Sequence, residues 1–237
     1  MQIPGLFSAT QKQRELFHLD RRQSPEKDLH IPLFEHLLVL IANSSQNNSL
    51  LEIDKIKTAL VVIDLQKGIA YLQVAPHDSR TVISNAARLA DEFRKNKMPV
   101  FLVHVMVSEA ERLNPISDEQ FQRRGPPSKD WAEFMPEIGP KENDIVITKK
   151  QWGAFYGTDL DLQLRRRGLD TMVLCGISTN YGVESTGRFA YEYGYQQIFA
   201  EDAMSSTTPE MHTASLNYAL RRMGRIRSTE QILQALK

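Results

Sequence analysis

Apolar residues along this chain change their spacing near residue 58. From there, short runs of consecutive aliphatic residues alternate with stretches in which apolar positions recur every three or four residues. Residues 58–64, Thr-Ala-Leu-Val-Val-Ile-Asp, form a β-branched run, the pattern of a strand buried on both faces of a parallel sheet. Val82, Ala86, Leu89, Ala90 and Phe93 then predict a helix over 81–96. Further strands are predicted over 99–105, 144–148, 171–175, 196–200 and 225–227. Residues 108–142, rich in charge, Pro and Gly, are too long for a simple connector and read as a covering segment.

Helix starts are also written into the chain. Thr158-Asp159-Leu160-Asp161 resembles a capping box, Thr208-Pro209-Glu210 places Pro at the first helical position, and Ser228-Thr229-Glu230-Gln231 caps a last helix. Asn180 reads as an N-cap before the pattern Val183, Gly187, Ala190, Gly194. Strands alternating with helices predict an α/β fold: a doubly wound, six-stranded parallel sheet with helices on both faces. Residues 1–55 stand apart as an N-terminal extension, with one apolar helix face (Leu33, Phe34, Leu37, Leu38, Ile41) and a polar linker from Asn43 to Ser49. Residues 56–237 form the main domain.

Charge and composition remove several function classes. Lys+Arg and Asp+Glu are both 29, which gives no reason to expect nucleic acid or an anionic membrane surface as a partner. The longest apolar run of the N-terminal region, residues 37–42, is far short of the roughly 20 residues that span a bilayer. The single cysteine, Cys175, suits a reducing compartment, and the N-terminal residues fit neither a secretory nor a transit signal, so a cytoplasmic location is expected.

In a doubly wound sheet, the working residues gather outside the carboxyl ends of the strands. Asp64 ends the first strand, and a carboxylate there is costly unless paired or solvated. Lys149 follows the third, although its neighbour Lys150 competes with it, and only one of two successive strand residues faces a given side. The turn from Gly176 to Gly182 follows the fourth and feeds a helix N-terminus, where free backbone N–H groups favour negative charge. His77, His104 and His212 are isolated in sequence and read as structural or solvent-facing. Ser178, Thr179 and Ser185 have no histidine at telling spacing. Cys175, flanked by Leu174 and Gly176, reads as a buried and inert strand thiol.

Three motifs taken together resemble the isochorismatase-like hydrolases. They are Val62-Ile63-Asp64-Leu65-Gln66, then Lys149 with Gln151-Trp152-Gly153-Ala154-Phe155, and Leu174-Cys175-Gly176-Ile177-Ser178-Thr179-Asn180, in the family's order over roughly residues 56–235. The resemblance implies that Asp64 is the catalytic aspartate and Lys149 the catalytic lysine, and that the Ile177–Ser178 bond is a non-proline cis peptide. It places Trp152 and Phe155 on the pocket wall and assigns Gln66, Ile177, Ser178 and Asn180 to the substrate side. It also implies a small-molecule substrate, no cofactor, and a homo-oligomer, since the family usually assembles.

This chain departs from the family's amidases at Gly182, where they carry a nucleophilic cysteine. The isochorismatases proper are similar to this chain in having glycine there, and are understood to cleave a vinyl ether by aspartate acid–base chemistry with water. They carry an aromatic residue where this chain has Ser178 and a histidine where it has Asn180. The Asp-x-His metal spacing of the nicotinamidases is absent, because Gln66 stands two after Asp64, so no metal is expected. A hydrolase using Asp64, Lys149 and Gly182 is the reading these residues favour. A catalytically silent binding or scaffold protein, and an amide hydrolase using water or a hydroxyl such as Ser178, are its alternatives. Arg123 and Arg124 in the covering segment are candidates for a carboxylate on the substrate.

Overall fold

The computed structural model describes residues 51–113, 115–118 and 127–237. The helix expected over 33–41 and the pair Arg123 and Arg124 lie outside the described residues. The elements of residues 51–237 alternate as the sequence pattern implies. They are β1 (Thr58–Ile63), α1 (Ser79–Lys95), β2 (Val100–Val105), β3 (Ile145–Lys149), α2 (Leu160–Arg166), β4 (Thr171–Ile177), α3 (Glu184–Glu192), β5 (Gln196–Ser205), α4 (Pro209–Ala214), β6 (Arg225–Arg227) and α5 (Thr229–Ala235).

All neighbouring strands are parallel, in the order β3-β2-β1-β4-β5-β6. Right-handed crossovers that move in opposite directions from the sheet centre put their helices on opposite faces. Thus α1, between β1 and β2, covers one face, and α3, between β4 and β5, covers the other. β1 is buried at every residue, with Leu60 paired to both Val100 and Val173 across its two ladders. Helix α1 buries Val82, Ile83, Ala86, Leu89, Ala90 and Phe93, and each large apolar side chain removed from water contributes ~1.5–3 kcal/mol.

Four boundaries differ from the sequence expectation, each for a local reason. Helix α1 starts two residues early because Asp78 accepts from Thr81 N at 2.7 Å, a cap outside the apolar pattern. β5 runs on to Ser205 because its register against β4 shifts between Leu174 and Gly176, and the extra residues include Glu201 and Asp202. Asp202 Oδ1 there accepts from Thr229 N (2.6 Å) and Thr229 Oγ1 (2.7 Å), fixing the start of α5. Thr158 does not close a capping box: its hydroxyl donates back to Ala154 O, and α2 starts at Leu160 with no side-chain cap. Asn180 is not an N-cap either. It lies inside a turn, Thr179–Val183, wound one residue wider than an α-helix, with Val183 N donating to Ser178 O at 3.2 Å.

Candidate active site

The strand order reverses direction between β1 and β4, and open parallel sheets place their ligand crevice at such a point. Asp64 leaves β1 there with φ +54, a left-handed conformation that aspartate tolerates better than most residues. Its N–H still donates to Val103 O at 2.8 Å, so the backbone is anchored while the side chain is free to turn. Asp64 Oδ2 lies 2.7 Å from Lys149 Nζ, and the two residues are only 5 % and 1 % exposed. Lys149 Nζ also donates to the Trp152 carbonyl. Lys150 projects outward and pairs with the exposed Glu111, so pleat alternation turns only Lys149 inward.

The carboxylate is incompletely satisfied. Among the described residues Asp64 Oδ1 has no hydrogen-bond partner. Burial pushes the Asp64 pKa above its ordinary value, because the charged form loses its water. Lys149 opposes that rise through charge and hydrogen bond, and His104 opposes it more weakly.

The turn after β4 closes the other side of the crevice. Gly176 has φ +124, and a Cβ built on it would stand 2.0 Å from Ile63 O, so only glycine lets the two strands run this close. The Ile177–Ser178 peptide is cis. Gly182 is buried, and its carbonyl accepts from Thr186 Oγ1 at 2.7 Å. A Cβ at Gly182 would lie 3.0 Å from Asp64 Oδ2 and 3.3 Å from Lys149 Nζ. Gly182 therefore packs directly against the ion pair, and a side chain there would crowd it.

The remaining sequence candidates separate. Gln66 is fully buried, and its amide is spent on backbone: Nε2 donates to Val105 O (3.1 Å) and Trp131 O (3.2 Å), and Oε1 accepts from Val105 N (2.8 Å). It braces the covering segment over the end of β2 instead of facing a ligand. Phe155, 5 % exposed, packs its ring against Tyr193 and Tyr195 in the core. Trp152 is 64 % exposed beside Tyr181, with ring centroids 4.9 Å apart. Asn180 Oδ1 accepts from Ser206 Oγ at 2.5 Å. Ile177 is buried, Ser178 is half-buried, and the Ser178 carbonyl accepts from Tyr181 N and Val183 N. Burial pushes the Cys175 thiol up to about 12, which leaves it inert.

His104, read from sequence as structural or solvent-facing, has structural partners, none of which its sequence neighbourhood revealed. Nδ1 lies 2.8 Å from Ala132 O and Nε2 2.8 Å from Thr148 Oγ1, and the ring stacks on Phe134 at 4.8 Å. A polar residue one position before the end of β2 was the available signal. The segment carrying Ala132 and Phe134 folds over the loop after Asp64, with Lys67 N donating to Glu133 O (2.8 Å) and Met135 N to Leu65 O (3.0 Å). An open groove of about 1050 Å³ lies elsewhere, between α1 and residues 70–75. Among the described residues no cluster of three or more His, Cys, Asp or Glu side chains could hold a metal ion, and no helix is long and apolar enough to cross a membrane.

The family profile described as the isochorismatase domain matches residues 58–231, which span the whole sheet and the site. The chain belongs to the isochorismatase family. Within that family it is 53 % identical to YwoC of Bacillus subtilis (strain 168) over 189 residues, covering 79 % of this chain and 98 % of that one. It is 49 % identical to YecD of Escherichia coli O157:H7, covering 79 % and 100 %. Both are described as uncharacterized isochorismatase family proteins. The structure of an isochorismatase family protein from Burkholderia thailandensis superposes with TM-score 0.72 at 39 % identity, covering 79 % of this chain and 99 % of that one.

Proposed function

We propose that this isochorismatase-family chain is a hydrolase of a small molecule that works by acid–base catalysis at Asp64 and Lys149, with water in place of a cysteine nucleophile. The observation that carries this reading is the buried contact between Asp64 and Lys149, with Oδ1 unpartnered among the described residues and Gly182, which has no side chain, packed against it. A carboxyl whose pKa is raised by burial keeps its proton where an ordinary aspartate has lost it, and so serves as a general acid.

With a vinyl ether, Asp64 gives its proton to the terminal alkene carbon. Water adds to the oxocarbenium ion and returns a proton to Asp64, and the hemiketal collapses to a carbonyl compound and an alcohol. Lys149 holds the carboxyl in place and balances its charge once the proton has left. Ile177 and Ser178 present the turn backbone to the substrate, and Trp152 with Tyr181 forms an aromatic wall. Among the relatives are a probable isochorismatase from Pseudomonas chlororaphis and ureidoacrylate amidohydrolases, so ether and amide cleavage both belong in an assay. Purified protein and its Asp64→Asn variant should be screened against isochorismate and simpler vinyl ethers, carboxamides and ureides. Turnover in the parent and its loss in the variant is the expected result. An undiminished Asp64→Asn variant removes the assignment.

A further inference from the structure

One buried cluster touches the site turn and has no part in the chemistry above. Thr179 opens that turn and is fully buried, and its hydroxyl lies 2.8 Å from Nδ1 of His212 in α4. His212 is itself buried, and its ring meets His77 edge-on, with centroids 5.8 Å apart and planes at 85°. Two further side-chain ties leave the same stretch of chain. Asn180 Oδ1 accepts from Ser206 Oγ at 2.5 Å, and Glu184 Oε2 accepts from Ser215 Oγ at 2.6 Å. All three reach residues 206–215, which contribute nothing to the Asp64–Lys149 pair. Inside the turn, Tyr181 N and Val183 N share one carbonyl, that of Ser178. So wide a winding has little strength of its own and depends on its surroundings.

We propose that His212 is a positioning residue: through the Thr179 hydroxyl it holds the turn so that Gly182 stays against Asp64 and Lys149. Of the three ties, only this one has both residues fully out of water, where losing a partner leaves an unsatisfied hydroxyl. Burial, and secondarily His77, pushes the His212 imidazole down to about 4, so the ring is neutral near pH 7. A neutral ring with its proton on Nε2 accepts the Thr179 O–H at Nδ1. The two residues are 33 apart in sequence, which is why no local spacing revealed them.

The inference rests on the turn belonging to the site proposed above, but its test needs no substrate. Amide hydrogen exchange is followed in the full chain for the parent, His212→Leu, His212→Asn, Thr179→Val and the His212→Leu/Thr179→Val double variant. Exchange at residues 179–183 should quicken by about tenfold in His212→Leu and Thr179→Val, and by no more in the double variant. Asn, which offers an acceptor near Nδ1, should restore much of the protection, while amides of β1 and β4 stay unchanged. The carbon-13 titration of the Asp64 carboxyl should move in His212→Leu and stay in His212→Asn. Unaltered exchange at the turn, or a rise shared equally with β1 and β4, overturns the proposal, and Thr179→Val alone decides it should His212→Leu fail to fold. An undiminished Asp64→Asn variant would refute the role given to Asp64 and leave this proposal standing.

Discussion

Two ion pairs, one half-buried and one buried, sit at opposite edges of the same sheet and differ in how completely they are satisfied. Asp144 precedes β3 at the amino edge. Its Oδ1 accepts from Arg94 Nε (3.1 Å), and its Oδ2 from Arg94 Nη2 (2.7 Å) and Lys141 N (2.7 Å). The guanidinium donates further to Ile138 O (2.6 Å) and Asp91 (3.0 Å). Asp64, at the carboxyl edge, has one cation at 2.7 Å and, among the described residues, nothing on its second oxygen. The first pair is only half-buried and is met by a full set of hydrogen bonds, whereas the second carries the full burial cost of charge without one. An arginine fork suits a closed structural joint, and a lysine point charge leaves room for a third party. A pair left open on one side is where a ligand or a proton can enter.

The largest separation between the two pairs should appear in turnover. Asp64→Asn should lose about 10²–10⁴-fold in kcat on whichever compound the panel identifies, the span typical of a lost general acid or base. Asp144→Asn should leave kcat/KM within about twofold, measured in the same steady-state assay, because it lies at the non-catalytic edge of the sheet. Stability should rank them the other way. Asp144→Ala takes the main partner from the half-buried Arg94, which keeps Asp91 and Ile138 O, and should cost about 1–3 kcal/mol in urea unfolding. Lys149→Met should cost less, because the Asp64 carboxyl escapes its isolation by keeping its proton.

A smaller effect is expected at Gly182. A methyl there would stand 3.0 Å from Asp64 Oδ2 and 2.8 Å from Ile63 Cγ2, so Gly182→Ala should lower turnover by roughly tenfold while the fold survives. Unchanged kinetics in that variant would mean that the close packing of Gly182 against the pair does not matter to turnover.

The mildest test is the pH profile. The Asp64 pKa is raised, so its proton is fully in place below the ordinary value of 3.8 and is lost as pH climbs through the raised one. A step that needs this acid should therefore slow on the alkaline side, beyond the range of an ordinary aspartate. Asp144→Asn should keep that limb of the kcat/KM profile unshifted. The sign for folding is the same: the native state holds this proton more tightly than the unfolded chain does, so Asp64 favours folding most at low pH.

Much of this was legible in the chain and some was not, for physical reasons. A strand buried on both faces announces itself by unbroken apolarity, so β1 and the acid that ends it could be read from residues 58–64. Pleat alternation says that Lys149 and Lys150 point apart, but it carries no information about which one points inward. Only the resemblance chose, and the structure places Lys149 at Asp64. The resemblance puts Gln66 on the substrate side and Phe155 on the pocket wall; their partners in the structure, the Val105 and Trp131 backbone and the rings of Tyr193 and Tyr195, are tens of residues away. Asn180 has the composition of an N-cap, and a tertiary bond to Ser206 overrides that local preference.

The sharpest discrimination between the open and the closed pair comes from carbon-13 titration of the aspartate carboxyls, with Asp64→Asn used to assign the signal that disappears. That signal should titrate above 3.8, displaced upward by burial against the pull of Lys149. If it titrates at or below 3.8, Asp64 is as fully ionised at working pH as any surface aspartate, and it has no proton to give.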